Sequence, residues 1–386
     1  MITNIHNMMT FLKKKCVLSI FSIICIGCTE TVLVSCNKGA GDAISPLKNT
    51  ILKLEESSEE IRNLKKYTDY ELIPLDNARE ALVGNFRKLV VTDSLFYIYD
   101  SNTVPKVLSF FHDGSFNCQI GEIGRKQSEY VNIDNFSVNS RGDTVVFMEY
   151  GKLKFYDNSG KFMYVKSIDD GKWWDNILYS TKGIIQASHY RGIDHLLAIY
   201  DTKTFNCKNL IPTDSAFISS PPYSLNQIQQ VGDSICFFDF FSSSFYVFDI
   251  KNLESIESFQ LYSDRILNEE RARKRDLSKD DYDEVESFVF TGDRIVGHMY
   301  KKNVPYDFEI ILSKGIIELY KSLDINCSFA CYHNGEYYKV VSASWIMDMY
   351  EWGVLKKPEI NQCVEPIISG ISEKDNYYIL KMKRKL

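Results

Sequence analysis

Histidine is the side chain best suited to proton transfer near neutral pH, and it is also a common metal ligand. After His6 the chain has five histidines: His112, His189, His195, His298 and His333. No two of them stand in an H-x-H or H-x-x-x-H arrangement, so the sequence predicts no local zinc site. His189 and His298 end predicted strands, where either could face an interior channel and act as an acid or base.

The remaining motifs predict no cofactor, no metal site and no catalytic residue. Paired carboxylates such as Asp169-Asp170 and Asp280-Asp281 lack the alternating oxygen ligands and central glycine of an EF-hand. The sequence contains no G-x-S-x-G nucleophile motif, P-loop or dinucleotide fingerprint. The net charge of -6 offers no basic surface for a phosphate backbone, so nucleic-acid binding is not expected.

Two segments carry aromatic and charged residues suited to ligand contact. Trp173 and Trp174 lie between predicted repeat units, where they could stack on a sugar, grip a peptide, or pack one unit against the next. A loop further upstream could present Arg125, Glu129 and Tyr130 to a ligand; alternatively, Arg125 pairs with Glu129 and locks the loop. We take these five residues as the candidate ligand face and favour the structural interpretation for the loop.

The N-terminus has the pattern of a bacterial lipoprotein signal peptide. Lysines at positions 13–15 precede an apolar run at 16–27, which is shorter than the ~20 residues that span a bilayer. Leu33-Val34-Ser35-Cys36 matches a lipobox, so we predict lipid attachment at Cys36. Cys28, in Ile26-Gly27-Cys28, is the alternative attachment residue. Acyl chains on either cysteine would anchor the protein to a membrane.

Six cysteines follow this segment: Cys118, Cys207, Cys236, Cys327, Cys331 and Cys363. Several lie inside strand-like runs, where a thiol behaves as a small apolar side chain. Cys327 and Cys331 are spaced like half of a zinc site, but no second ligand pair follows. We therefore predict buried free thiols.

A repeating unit begins near residue 71 and indicates the fold. The composition includes 24 Tyr and 24 Phe, which favours strands. Hydrophobic strands alternate with tight turns, and the turn aspartates Asp113, Asp157, Asp201 and Asp249 are 44, 44 and 48 residues apart. A period in the forties with about four strands per unit is typical of propeller blades. The sequence therefore predicts an all-β, six-bladed β-propeller with four-stranded antiparallel blades.

Composition also predicts the domain organisation. Residues 1–36 form the signal peptide, 37–68 a polar tether with a short amphipathic helix, and 69–386 the propeller. A charge-rich stretch at 265–285 is predicted to be a helical insertion, and a second, less regular insertion begins near Trp345. We expect residues 72–75 to pair into the blade that the C-terminus completes, because this removes the last free strand edge.

Three stretches resemble a known family: Ile73-Pro74-Leu75-Asp76 with Leu82-Val83-Gly84-Asn85, then 95–100, then 121–130. The sequence resembles the six-bladed β-propeller lipoproteins of Gram-negative bacteria, which are related to TolB-like and NHL-repeat propellers. That family tends to have Gly-Pro-Gly where this chain has Lys126, Gln127 and Ser128, so a differently shaped loop is expected. The resemblance implies six blades and no established activity.

These features lead to a functional hypothesis and two alternatives. The first is a membrane-anchored binding module for a protein or glycan, located on the periplasmic side of the outer membrane or on the cell surface. One alternative is a glycan-active hydrolase or lyase with its site in the central channel. The other is a structural component of an envelope complex.

Overall fold

The computed structural model describes residues 48–385, apart from 56–59, 103, 169–173, 189–194, 213–225 and 267–281. The predicted signal peptide, with Cys28 and Cys36, therefore lies outside the described residues. The described residues form a β-propeller of six blades, each built on four antiparallel strands. The predicted fold class is confirmed in this respect.

The chain enters the fold through four short elements: β1 (Lys48–Lys53), β2 (Glu60–Ile61), α1 (Asn63–Lys66) and β3 (Tyr67–Pro74). Blade 1 then contains β4 to β7, at Phe86–Val91, Leu95–Asp100, Lys106–Phe111 and Phe116–Ile120. A short parallel pair, β8 (Glu122–Ile123) and β9 (Glu129–Tyr130), leads to the next blade. Blade 2 contains β10 to β13, at Asn135–Val138, Thr144–Glu149, Lys152–Asp157 and Phe162–Ser167.

The later blades repeat this arrangement. Blade 3 contains β14 to β17, at Asn176–Tyr179, Ile184–Ala187, His195–Tyr200 and Cys207–Pro212. Blade 4 contains β18 to β21, at Ile228–Val231, Ser234–Asp239, Ser244–Asp249 and Asn252–Tyr262. Blade 5 contains β22 to β25, at Glu284–Phe290, Arg294–Lys301, Val304–Ile311 and Ile316–Ser322. Blade 6 contains β26 (Cys331–His333), β27 (Glu336–Val341) and β28 (Tyr378–Arg384), with β3 as its fourth strand.

Pairing of β3 with β28 closes the ring. Ile73 lies opposite Ile379 and Leu72 opposite Leu380, so the N-terminal strand completes the last blade as predicted. A buried carboxylate reinforces this junction: Glu309, on β24, accepts hydrogen bonds from Arg294, at 2.6 Å, and from Arg384 on β28. Lys66 on α1 lies 3.9 Å from the same carboxylate. The pKa of Glu309 is lowered because these cations outweigh the effect of burial.

β1 and β2 lie along the outer edges of two further blades, and we call β1, β2 and α1 together the N-terminal strap. β1 pairs in parallel with β21 of blade 4, and β2 pairs in parallel with β25 of blade 5. The sequence predicted a polar tether with a short amphipathic helix over 37–68; at Lys48–Lys53 and Glu60–Ile61 the chain instead forms edge strands, and the helix is the short α1. Leu52 and Leu54 are buried while Ile51 is 60% exposed, a period of two that suits an edge strand.

Each space between neighbouring blades holds one hydrophobic cluster, which explains the continuous apolar runs in the sequence. In β5, Leu95, Tyr97 and Tyr99 belong to the cluster shared with blade 2. Phe96 and Ile98 belong to the cluster shared with blade 6. Alternate residues of a strand point to opposite faces, and both faces of a blade are covered. The chain therefore needs large apolar and aromatic side chains at successive positions.

The turn aspartates connect the third and fourth strands of blades 1 to 4, as the repeat predicted. The Oδ1 atoms of Asp113, Asp157, Asp201 and Asp249 accept backbone N–H groups two residues later, at 2.7–3.0 Å. Asx side chains stabilise tight turns in this way. The spacing of these aspartates therefore reports the spacing of the blades.

The two predicted insertions differ from expectation in detail. The stretch beginning near Trp345 forms α2 (Ala343–Glu351) and α3 (Pro358–Ile368), which pack outside blade 6. Within 265–285, residues 284 and 285 belong to β22, and Ile266 forms a parallel bridge with Asp283. Residues 267–281, where the helix was predicted, lie outside the described residues. Among the described residues, no helix is long and apolar enough to cross a membrane.

Candidate functional site

The first strands of the blades surround a central channel that contains two cavities. The larger has a volume of about 470 Å³ and is lined by residues of all six blades, near the ends of their first strands. The smaller has a volume of about 260 Å³ and is lined by residues of blades 1, 4, 5 and 6. Lys88, Leu89 and Asn226 line both cavities, so they lie between them.

Lys88 is a buried lysine at this central point. It lies on β4, and only 6% of its surface is exposed. Its Nζ donates to Asn135 Oδ1 at 2.9 Å and to the Phe136 carbonyl at 2.8 Å, and it lies 5.4 Å from the centre of the Phe136 ring. Burial lowers the pKa of Lys88 to about 7, because a charged amine is costly away from water.

Side-chain amides extend this polar contact from blade to blade. Asn135 Nδ2 donates to the Asp175 carbonyl at 2.9 Å, and Asn176 Nδ2 lies 3.4 Å from Gln227 Oε1. Asn135, Asn176 and Gln227 are all at most 1% exposed. Because buried polar groups need partners, this chain of amides fixes the relative positions of blades 1 to 4 around the channel.

Amides also connect blade 4 to blades 5 and 6. Gln229 Nε2 donates to the Phe288 carbonyl at 2.8 Å, while its Oε1 accepts the Phe290 N–H at 2.9 Å. Asn226 Nδ2 donates to the Ala330 carbonyl at 3.1 Å. The wall of the channel is therefore held in place by polar side chains and presents both polar and apolar atoms to the cavities.

His298, which the sequence suggested as a channel-facing acid or base, lies on the second strand of blade 5. It is 2% exposed, and its Nδ1 is 2.8 Å from Asp307 Oδ1. Asp307 also accepts from Asn63 Nδ2 at 2.6 Å and from the Cys327 N–H at 2.8 Å. His298 is thus part of a buried network that joins the N-terminal strap to blade 5, and neither cavity is lined by it. His189 lies outside the described residues.

The loop of the candidate ligand face is shaped by an ion pair that the sequence did not predict. Glu129 Oε1 pairs with Lys126 Nζ at 2.9 Å instead of with the Arg125 side chain. Hydrogen bonds from Lys126 lower the pKa of Glu129. Arg125 is exposed beside a separate surface cavity of about 270 Å³. Tyr130 is fully buried against Phe147, so its ring does not face a ligand.

Of the two tryptophans, Trp174 is described and Trp173 lies outside the described residues. Trp174 is half-buried, and its ring packs against the cluster between blades 2 and 3, 5.8 Å from the ring of His195. This favours the packing interpretation for Trp174. The structure therefore does not bring the described members of the candidate ligand face together at the channel.

Sequence reasoning missed the polar residues at the first strands, which surround the channel. In each of blades 1 to 5, a polar residue followed by an apolar residue occurs in the first strand or directly before it. The polar residues are Lys88, Asn135, Asn176, Gln227 and Ser287. The recurrence of this polar residue at the same position of successive repeats was the sequence signal that could have identified the channel. In the described residues, no group of three or more His, Cys, Asp or Glu side chains could hold a metal ion.

Comparison with known proteins supports the architecture. The model of a family described as a domain of unknown function, DUF4934, matches residues 50–383. The chain is similar in structure to BF0058 of Bacteroides fragilis NCTC 9343, a protein whose name describes it as exported. The TM-score is 0.67 and the sequence identity is 16%, and the match covers 88% of this chain and 100% of BF0058. No curated protein matches the chain.

Two further solved structures show weaker similarity. A member of the DUF4221 family from Bacteroides vulgatus ATCC 8482 has a TM-score of 0.49 and 10% identity, over 83% of this chain and 98% of its own. TolB from Acinetobacter baumannii has a TM-score of 0.40 and 15% identity, over 61% of this chain and 56% of its own.

Proposed function

The chain belongs to the DUF4934 family, and from the geometry of its channel we propose that it is an exported binding module of the cell envelope. Its ligand, a sugar unit of a glycan or the end of a peptide chain, occupies the larger cavity. The observation that carries this proposal is that residues of all six blades line one cavity of about 470 Å³.

The size and lining of the larger cavity suit a small ligand. Pockets for small molecules commonly have volumes of about 300–1,000 Å³ and combine apolar walls with a few fixed polar groups. Here Val138, Ile177 and Ile228 supply apolar surface, while Asn139 and Gln230 add amide groups. The hydrogen bonds between blades hold this wall in place before a ligand arrives, which reduces the entropy lost on binding.

The location forms part of the proposal. The lipobox at Cys36, with Cys28 as the alternative, provides a membrane anchor, and BF0058 has a name that describes it as exported. We place the protein on the outer membrane, on its periplasmic side or at the cell surface. Globomycin treatment, which blocks lipoprotein signal cleavage, should cause an uncleaved form of the chain to accumulate; normal processing would contradict the anchor.

A steric block at the cavity rim tests the binding site. Thr181 is exposed in the turn between β14 and β15 and lines the larger cavity, while its exposed neighbour Lys182 does not. Isothermal titration calorimetry of the full chain with neutral and acidic sugars and short peptides should find a ligand whose affinity Thr181→Trp lowers about tenfold or more. Lys182→Trp is the matched control and should bind normally. Equal affinities in the two variants, or binding of none of these probes, would refute the proposed site.

A further inference from the structure

Lys88 differs from the other buried lysines in what surrounds it. Lys154 is also buried, but it pairs with Glu149 at 2.6 Å. Lys339 bonds to neutral oxygens, yet Asp307 and Glu286 are close enough to favour its charge. Lys88 has two neutral acceptors, and no carboxylate of the described residues forms an ion pair with it. Removing an ammonium from water without a counter-charge is costly, so its position needs an explanation.

The thiol beside Lys88 does not supply that counter-charge. Cys331 is the titratable group that favours the charge of Lys88, but burial raises the pKa of its thiol to about 11. It therefore remains uncharged near neutral pH. A negative charge for Lys88 could come from a bound ligand instead.

The other acidic and basic residues among the described lining of the larger cavity already have partners. Asp233 forms an ion pair with Lys251, and His333 Nε2 lies 2.9 Å from Asp93 Oδ1. Lys88 is thus the one cation among the described lining residues of this cavity that lacks an acidic partner. An ammonium has three donors, and two of those on Lys88 are used, which leaves one for a ligand oxygen.

We propose that the ligand carries a carboxylate, which enters from the larger cavity and accepts a hydrogen bond from Lys88 Nζ. This inference rests on the proposed function, because it assigns the chemistry of that same site. A single charge and a single remaining donor match a carboxylate better than a doubly charged phosphate. The carboxylate belongs to the uronic acid of a glycan or to the C-terminus of a peptide.

Matched pairs of compounds test the proposal and distinguish the two sources. Calorimetry of the full chain compares glucuronate and galacturonate with glucose and galactose, and a set of short peptides with their C-terminally amidated forms. The acidic member of one set should bind about tenfold to a hundredfold more tightly than its neutral partner, since hydrogen bonds to charged groups are strong. Tighter binding of the acidic sugars than of the neutral sugars identifies a uronate as the ligand. Tighter binding of the free peptides than of the amidated peptides identifies a peptide C-terminus.

Substitution and proton uptake show whether Lys88 causes the preference. Lys88→Met should bind acidic and neutral partners equally, and circular dichroism checks that this variant is folded. In the unmodified chain at pH 8, titrations in two buffers of different ionisation enthalpy should reveal proton uptake on binding, which needs no variant. Equal affinity of acidic and neutral partners, or no proton uptake, overturns the carboxylate assignment. If neutral ligands still respond to Thr181→Trp, the proposed function survives that result.

Discussion

The stability of a Lys88→Met variant, measured relative to the unmodified chain, should decrease as the pH rises. Burial lowers the pKa of Lys88 from 10.5 to about 7 on folding. Below pH 7 the amine is protonated in both the folded and unfolded chain, and the full cost of burying the charge opposes folding. Above pH 10.5 it is neutral in both states and this cost vanishes. The unmodified chain therefore gains stability, from this group, as the pH rises between these values.

The size of the effect follows from the shift. One pKa unit corresponds to about 1.4 kcal/mol, so the full cost is about 5 kcal/mol at pH 6 and falls to about 2 kcal/mol at pH 9. Methionine has a similar length and no charge, but it leaves Asn135 Oδ1 and the Phe136 carbonyl without this donor. That loss is independent of pH. The free energy of unfolding of Lys88→Met, relative to that of the unmodified chain, should therefore decrease by about 3 kcal/mol between pH 6 and pH 9.

Urea unfolding of both proteins at pH 6, 7.5 and 9 measures this change, because other titrating groups contribute equally and cancel in the difference. The range stops at pH 9 because Cys331 begins to titrate above it. Lys182→Met, at an exposed lysine, is the control and should give a difference that does not change with pH. A constant difference for Lys88→Met would show that the amine is not desolvated in the folded protein.

Two further predictions concern the contact between blades 5 and 6 and the docking of the N-terminal strap. Glu309→Gln should lower the free energy of unfolding by about 2–4 kcal/mol in urea unfolding, because the partly buried Lys66, Arg294 and Arg384 lose their buried anionic partner. The exposed Glu318→Gln should change it by less than about 0.5 kcal/mol. Leu52→Ala should cost about 2–5 kcal/mol by opening a cavity under the N-terminal strap, whereas Ile51→Ala, on the exposed side of the same strand, should be nearly neutral in thermal unfolding. Similar losses within either pair would contradict the burial described above.

The blades could be predicted from the sequence because their information is local. Strand, turn and strand lie within about 45 residues of one another, and Asp113 or Asp157 marks each turn by a contact two residues away. The N-terminal strap could not be predicted in the same way, since β1 is only six residues long and its partner lies about 200 residues later. Ile51, Leu54, Ile61 and Leu64 were instead interpreted as one face of a short amphipathic helix.

The channel was harder to predict than the blades. A lysine or asparagine within a strand ordinarily suggests a solvent-facing side chain, and composition does not reveal that the first strands of six blades converge on one axis. Lys88 and Asn135 acquire their partners only when blades 1 and 2 are in place. The candidate ligand face was chosen from residues with distinctive local chemistry, whereas the channel is formed by ordinary residues at equivalent positions.

The path of the N-terminal strap has a consequence for the order in which the protein is made. β1, β2 and β3 precede the blades in the chain, but their partners β21, β25 and β28 belong to blades 4, 5 and 6 and are synthesised much later. Until β21, β25 and β28 emerge in turn, the matching early strand has no edge to pair with, and until blade 6 forms the first blade lacks its neighbour. A chain that stops short of β28 therefore keeps an open ring, with β3 unpaired. Completion of translation is coupled to assembly of the native state, so prematurely terminated chains remain exposed to proteases.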